Sequence, residues 1–144
     1  MGHAYVTNAV HIVFRTKNRA SAIPEKKQRE LWAYLQGIAK HLGVETLAIG
    51  GIPDHIHVLV SVPKSMALSD LVMKFKANSS KWMGPSFAWQ EGYGAFSVSP
   101  SNIDTVQKYI RSQAEHHRKR DFREEFRILL ERSGIRFDPA DEFR

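Results

Sequence analysis

The chain has no cysteine among its 144 residues. That excludes a disulfide framework and any thiolate metal site. A metal, if there is one, must be held by His, Asp, Glu, Gln or Asn. No apolar run approaches the ~20 residues that a membrane span needs. The opening MGHAYVTNAV lacks the charged start and long apolar stretch of a signal peptide, and the pattern after Gly2 does not match that for N-myristoylation. These absences lead to the expectation of a soluble, cytoplasmic protein with no membrane partner.

What is present suits one domain, residues 1–144, with a genuine core. Apolar residues make up 42% and charged residues 25%, a globular balance. The net charge of +6 hints at a polyanionic partner, most often nucleic acid. Many basic proteins bind nothing acidic, so charge alone does not decide.

Periodicity gives the order of elements. YVTNAVHIVFRTKNR alternates as a strand does, with Val10, Ile12 and Phe14 on one face and His11, Val13, Arg15 and Lys17 on the other. IPEKKQRELWAYLQGIAKHLG carries a helical apolar stripe through Leu31, Leu35 and Ile38. VETLAIGG and HIHVLVSV follow as strands joined by a short Gly- and Pro-containing link. SMALSDLVMKFKANSSKWMG reads as a second helix and SFAWQEGYGAFSVS as a fourth extended segment. SNIDTVQKYIRSQAEHHRKR reads as one continuous third helix, and FREEFRILLERSG as a fourth. The order β-α-β-β-α-β followed by helices is the ferredoxin-like, split βαβ arrangement also used by RNA-recognition domains. It is an α+β fold: an antiparallel sheet with the first and third strands at its centre and two helices on one face.

Within the third strand, Ile56, Val58, Val60 and Val62 share the face that packs under the helices. His55, His57, Leu59 and Ser61 share the other. Side chains at i and i+2 stand ~7 Å apart at their bases, close enough for two imidazoles to meet on one metal ion. Two histidines on a half-exposed strand are also an ordinary arrangement, hydrogen-bonded to neighbours or water, and two ligands do not make a site. The third helix offers more donors. Tyr109 and Gln113 are four residues apart and project from one side of a helix, and His116 continues that side.

His55-Ile56-His57 is a His-hydrophobic-His motif, and YIRSQ supplies a tyrosine with a glutamine at i+4. Together they resemble the HUH superfamily of single-strand DNA endonucleases, and more narrowly the single-tyrosine transposases of the insertion-sequence-200/605 family. HIVFRTKNR, GGIPDHIHVLVSVP, WQEGYGAFSVS and YIRSQAEHH fall in the family's order and approximate spacing, so the resemblance covers nearly the whole chain.

The resemblance implies a DNA transposase in which His55, His57 and Gln113 bind one divalent metal, Mg2+ or Mn2+, and Tyr109 is the nucleophile, carried by the C-terminal helices. Attack on single-stranded DNA would give a 5′-phosphotyrosine and a free 3′-hydroxyl, and reversal with another 3′-hydroxyl would join new strands. It further implies a DNA hairpin at the element's end, a homodimer, and a bacterial or archaeal cytoplasm. The chemistry fits: a phosphodiester repels nucleophiles, a metal on its oxygen offsets that charge, and a phenol of pKa ~10 needs help to attack near neutral pH.

Gln is a weak ligand beside a carboxylate, so Asp54 and Glu115 stand as substitutes. Asp54 points to the opposite face of an ideal strand. His116 is a possible auxiliary group. Arg15, Lys17, Lys76, Arg111 and Arg118 are candidate phosphate contacts. Trp82, Trp89, Tyr93 and Phe96 could stack on bases, with packing the commoner use. The alternative function is a non-catalytic or host-adopted single-strand nucleic-acid-binding protein of the same fold, like the repeat-associated relatives.

Overall fold

The computed structural model describes residues 2–116 and 120–138, with the side chain of His116 outside that set. Four strands, β1 (Ala9–Arg15), β2 (Glu45–Ile52), β3 (His55–Ser61) and β4 (Gly94–Val98), form one sheet in the order β2-β3-β1-β4. Every pairing is antiparallel. β1 and β3 are the central strands, as the split βαβ order requires.

The alternation along the strands decides what covers each face. Val10, Ile12 and Phe14 of β1 and Ile56, Val58 and Val60 of β3 join Val62 under α1 (Glu25–His41) and α2 (Leu68–Met83). Leu31 and Leu35 of α1 and Leu71 and Phe75 of α2 close this main core, all fully buried. Trp89 belongs to the same core, with its ring against Phe14 and Phe87 and its indole N–H donating to Ser79.

The opposite face carries two smaller apolar clusters. Ala9, Ala48 and Leu59 pack against Ile110 of α3 (Ile103–Arg111). Val13 and Phe96 pack against Phe122, Phe126 and Leu130 of α5 (Phe122–Arg132). The two helices are thus docked by separate apolar contacts, and the histidines of β1 and β3 fall between them. Gly50 permits the first contact, because a Cβ there would overlap the Ile110 carbonyl. Gly94 permits the second, because a Cβ there would come within 2.6 Å of the Phe126 ring.

Two segments differ from their sequence reading. The fourth extended segment is strand only over Gly94–Val98, and Trp89 makes an isolated bridge to Thr16. The third helix is not continuous. It stops at Arg111, turns at Ser112 (φ −107°, ψ 28°), and resumes as a short α4 (Gln113–His116). Ser112 Oγ donates to the Lys108 carbonyl at 2.7 Å, and a serine bonding back to its own helix bends it. α5 begins at Asp121, whose carboxylate accepts from the Glu124 N–H at 2.9 Å. Such a cap is worth about 1 kcal/mol. It fixes where the helix starts, and so which side chains face the sheet.

Candidate metal centre and tyrosine

His55 and His57 are fully buried, on the sheet face between α3 and α5. Each is held at one ring nitrogen. His55 Nδ1 lies 2.7 Å from Asp54 Oδ1, and His57 Nδ1 lies 2.7 Å from Nε2 of His11. That leaves the two Nε2 atoms, which both face Oε1 of Glu125, at 3.5 Å from His55 and 3.0 Å from His57. One ligand atom from each of His55, His57 and Glu125 lies within 4.8 Å of the others.

The surroundings fix the charge states. Burial above all, and then His57, push His11 down from 6.5 to about 3. A neutral His11 can accept the Nδ1–H of His57, which leaves the lone pair of His57 on Nε2. Burial works against charge on His55 as well. There the hydrogen bonds to Asp54 and Glu125 and their charges outweigh it, and its pKa is raised above 6.5. A carboxylate on the far ring nitrogen, as Asp54 is for His55, is a usual support of metal-binding histidines, and His11 stands in the same place for His57.

Tyr109 completes the group. Its ring centre is 5.7 Å from that of His57 and 6.2 Å from that of His11, with near-perpendicular planes. Burial, the charge of Glu125 and the hydrogen bond to Glu125 raise its phenol well above 10, while Gln113 and Arg120 work the other way. Gln113 is 1% exposed. Its Nε2 donates to the Tyr109 carbonyl at 3.3 Å, and its buried Oε1 has no hydrogen-bond donor among the described residues.

These residues fit a divalent cation. Two imidazole nitrogens and a carboxylate oxygen converge, and a buried amide oxygen lacks a donor nearby. Hard oxygen with borderline nitrogen suits several divalent ions.

The structure brings His55, His57, Tyr109 and Gln113 together, although the last two flank the break at Ser112. Asp54 supports His55 from behind, and Glu115 is exposed, so neither takes the place of Gln113 at the centre. The carboxylate that does reach it, Glu125, was not among the sequence candidates. A signal existed: Phe122, Glu125, Phe126 and Leu129 follow the 3, 4, 7 spacing of a buried stripe, so Glu125 is an acid on an apolar face. His11 lies on the face its alternation predicts, and there it backs His57.

The basic residues scatter. Arg15 is buried beside the site, its guanidinium 4.7 Å over the Phe122 ring. Lys17 is exposed in a short 3-10 turn. Lys76 donates to the carbonyls of Gln90 and Gly92 at 2.8 and 2.6 Å, and so ties down the loop before β4. Arg111 is exposed and donates to the Leu47 carbonyl at 3.4 Å. Arg118 and the His116 side chain lie outside the described residues. Of the aromatics, Phe96 is core, Trp82 stacks on Tyr34, and Tyr93 is 42% exposed.

Comparison with known proteins bears on the family and the fold. The ISDra2 transposase TnpA of Deinococcus radiodurans is 27% identical over 124 residues, which span 78% of this chain and 89% of the relative. The transposase for insertion sequence element IS200 of Salmonella typhimurium is 29% identical over 116 residues, 73% of this chain and 76% of the relative. Among solved structures, a candidate transposase of Deinococcus radiodurans R1 superposes with a TM-score of 0.62 at 24% identity, covering 76% of this chain and 94% of that one. A REP-associated tyrosine transposase bound to a REP hairpin gives a TM-score of 0.65 at 16% identity, covering 81% of this chain and 73% of that one. At those identities the structures speak for the fold. The family described as "Transposase IS200 like" matches residues 4–113, most of the chain, so the protein belongs to the IS200-like transposases.

Proposed function

We propose that this transposase cleaves and rejoins single-stranded DNA through a 5′-phosphotyrosine on Tyr109. The observation that carries the reading is the convergence of His55 Nε2, His57 Nε2 and Glu125 Oε1 beside the Tyr109 phenol. His55, His57 and Glu125 hold one divalent ion, Mg2+ or Mn2+, with the Gln113 amide oxygen as a further donor. Bound there, an ion would supply Lewis-acid charge for the phosphodiester and its departing 3′ oxygen. Asp54 and His11 keep both Nε2 lone pairs turned toward it. Glu125 accepts the Tyr109 hydroxyl and orients it. Tyr109 Oη gives its proton to Glu125 and attacks phosphorus, the bond to the 3′ oxygen breaks, and that oxygen takes up a proton from Glu125 or solvent to leave a free 3′-hydroxyl for the return step.

Within one chain Tyr109 lies beside its own His57, and a homodimer would bring two tyrosines and two histidine pairs, each tyrosine serving its own chain's pair or the partner's. The family and the hairpin-bound relative support a hairpin-bearing single strand as the partner, in the cytoplasm of a bacterial or archaeal cell.

The test uses labelled single strands taken from the DNA flanking the gene, with Mg2+ or Mn2+. Wild type is expected to give a protein–DNA adduct that survives a denaturing gel. Tyr109→Phe is expected to give none while binding the strand within about twofold, since it loses one hydroxyl and keeps the ring. A wild-type protein that cuts and never forms an adduct would point to plain hydrolysis and end this reading.

A further inference from the structure

Beside the histidine site is a cavity of about 370 Å³ that the chemistry above does not use. Its volume is in the range of small-molecule sites. It lies between the end of β1, the turn before β4, the start of α5 and the segment after α5. Tyr93, Phe122, Phe126 and Phe137 give it aromatic walls. Arg15 also lines it, only 7% exposed, with its guanidinium stacked on Phe122. Among the described residues Arg15 has no hydrogen bond or ion pair from that guanidinium. Asp54 acts on it at a distance, but the Asp54 carboxylate is hydrogen-bonded to His55.

A buried guanidinium with no acceptor in hydrogen-bond contact is costly, and such groups are ordinarily paired. A guanidinium kept in a cavity of aromatic rings is the donor set for a phosphate with a base attached. Arg136, Glu91 and Asp138 line the cavity too, so its charges are mixed and general positive charge does not make the case. Arg15 makes it.

We propose that this cavity binds one nucleotide of the single strand next to the scissile phosphate, with the base among the rings and the phosphate on Arg15. The proposal rests on the strand-cleavage reading above. Position supports the neighbouring nucleotide. The Phe122 ring lies 4.7 Å from the Arg15 guanidinium and 4.5 Å from the His55 ring. Arg15 is moreover the cross-strand partner of His55, so the two sites are adjacent, within the reach of about one or two nucleotides at roughly 3.4 Å each when stacked.

The experiment measures affinity by fluorescence polarisation in EDTA, with a labelled oligo(dT) twelve nucleotides long and an abasic phosphodiester strand of equal length and charge. Wild type should favour oligo(dT) by about tenfold, the worth of a stacked base. Tyr93→Ala, at an exposed rim position, should reduce that preference at least threefold with its melting temperature unchanged. Arg15→Gln should weaken both strands by about tenfold, and Arg15→Lys should recover part of the loss. Equal binding of the two strands by wild type would overturn the proposal. So would full competition by thymidine monophosphate at equal concentration, which would make the occupant a free nucleotide. A protein that forms the Tyr109 adduct yet ignores Tyr93→Ala and Arg15→Gln has no such cavity function. A protein that forms no adduct but loses its oligo(dT) preference in Tyr93→Ala keeps it, and only the cleavage reading falls.

Discussion

Replacing Glu125 by Gln keeps the shape of the side chain and removes its charge from the middle of the site. The carboxylate oxygen stands 3.0 Å from His57 Nε2 and 3.5 Å from His55 Nε2, so it is the one anionic donor among the described residues that the ion would meet together with both histidines. Suppose Mn2+ is supplied at one hundred times its dissociation constant for the wild type. Linkage then adds about 2.7 kcal/mol to folding stability, or about 8 °C in melting temperature for a chain of this size. If Glu125→Gln weakens the ion by a hundredfold, the upper end for losing even a supporting partner, the same Mn2+ adds about 0.4 kcal/mol, or roughly 1 °C. Without the ion the variant should melt lower, since a buried charged contact is worth about 1–3 kcal/mol. The quantity to read is therefore the Mn2+ increment over an EDTA control in differential scanning fluorimetry, not the absolute temperature. Equal increments in variant and wild type would show that the carboxylate does not touch the ion, and the centre would reduce to the two histidines and Gln113.

Two further substitutions probe how the site is held. His11→Ala removes the 2.7 Å contact behind His57, and Mn2+ affinity by isothermal titration should fall about 10- to 100-fold with the circular dichroism spectrum retained; unchanged affinity would make His11 a packing residue. Gly50→Ala places a Cβ against the Ile110 carbonyl, which forces α3 off the sheet at a cost of about 1–3 kcal/mol. Melting temperature and adduct yield should drop together, and a wild-type melting temperature would mean that α3 is not seated on β2 as described.

The strands were legible in the sequence because their two faces meet different surroundings. Ile56, Val58 and Val60 meet the main core, while His55 and His57 meet polar partners, and a period of two exposes the difference at once. The break in the tyrosine helix was not legible. Tyr109 and Gln113 have the spacing of helical neighbours whether or not the helix continues, and what ends it is the Ser112 hydroxyl turned back on Lys108. Glu125 was hidden for another reason. Seventy residues separate it from His55 in sequence, it lies past the region that defines the family, and only the docking of Phe122 and Phe126 on Val13 and Phe96 carries it to the histidines. Local pattern can mark it as an acid on an apolar stripe. Which group it meets there is a tertiary fact.

The closed state of the site raises the question of access, and Phe122 answers it. His55 and His57 are 0% exposed, so no phosphodiester reaches them without a movement. Their covers differ in what moving them would lose. Tyr109 and Gln113 are held by α3, seated on the sheet through Ile110 and Leu59, and withdrawing them would remove the nucleophile. Phe122 is a single ring at the first residue of α5 that lines the cavity and packs against both Arg15 and His55. Turning that ring would open the cavity toward His55 and need not move Glu125 or Tyr109. Phe122→Ala should therefore speed Mn2+ association in stopped-flow measurements while lowering stability by about 3–5 kcal/mol, the ordinary cost of a buried Phe. Phe126→Ala, on the same helix and against β4, serves as the control: it should lower stability by a similar amount with a smaller effect on association. If both variants speed association equally, the whole of α5 opens and Phe122 has no special part in it.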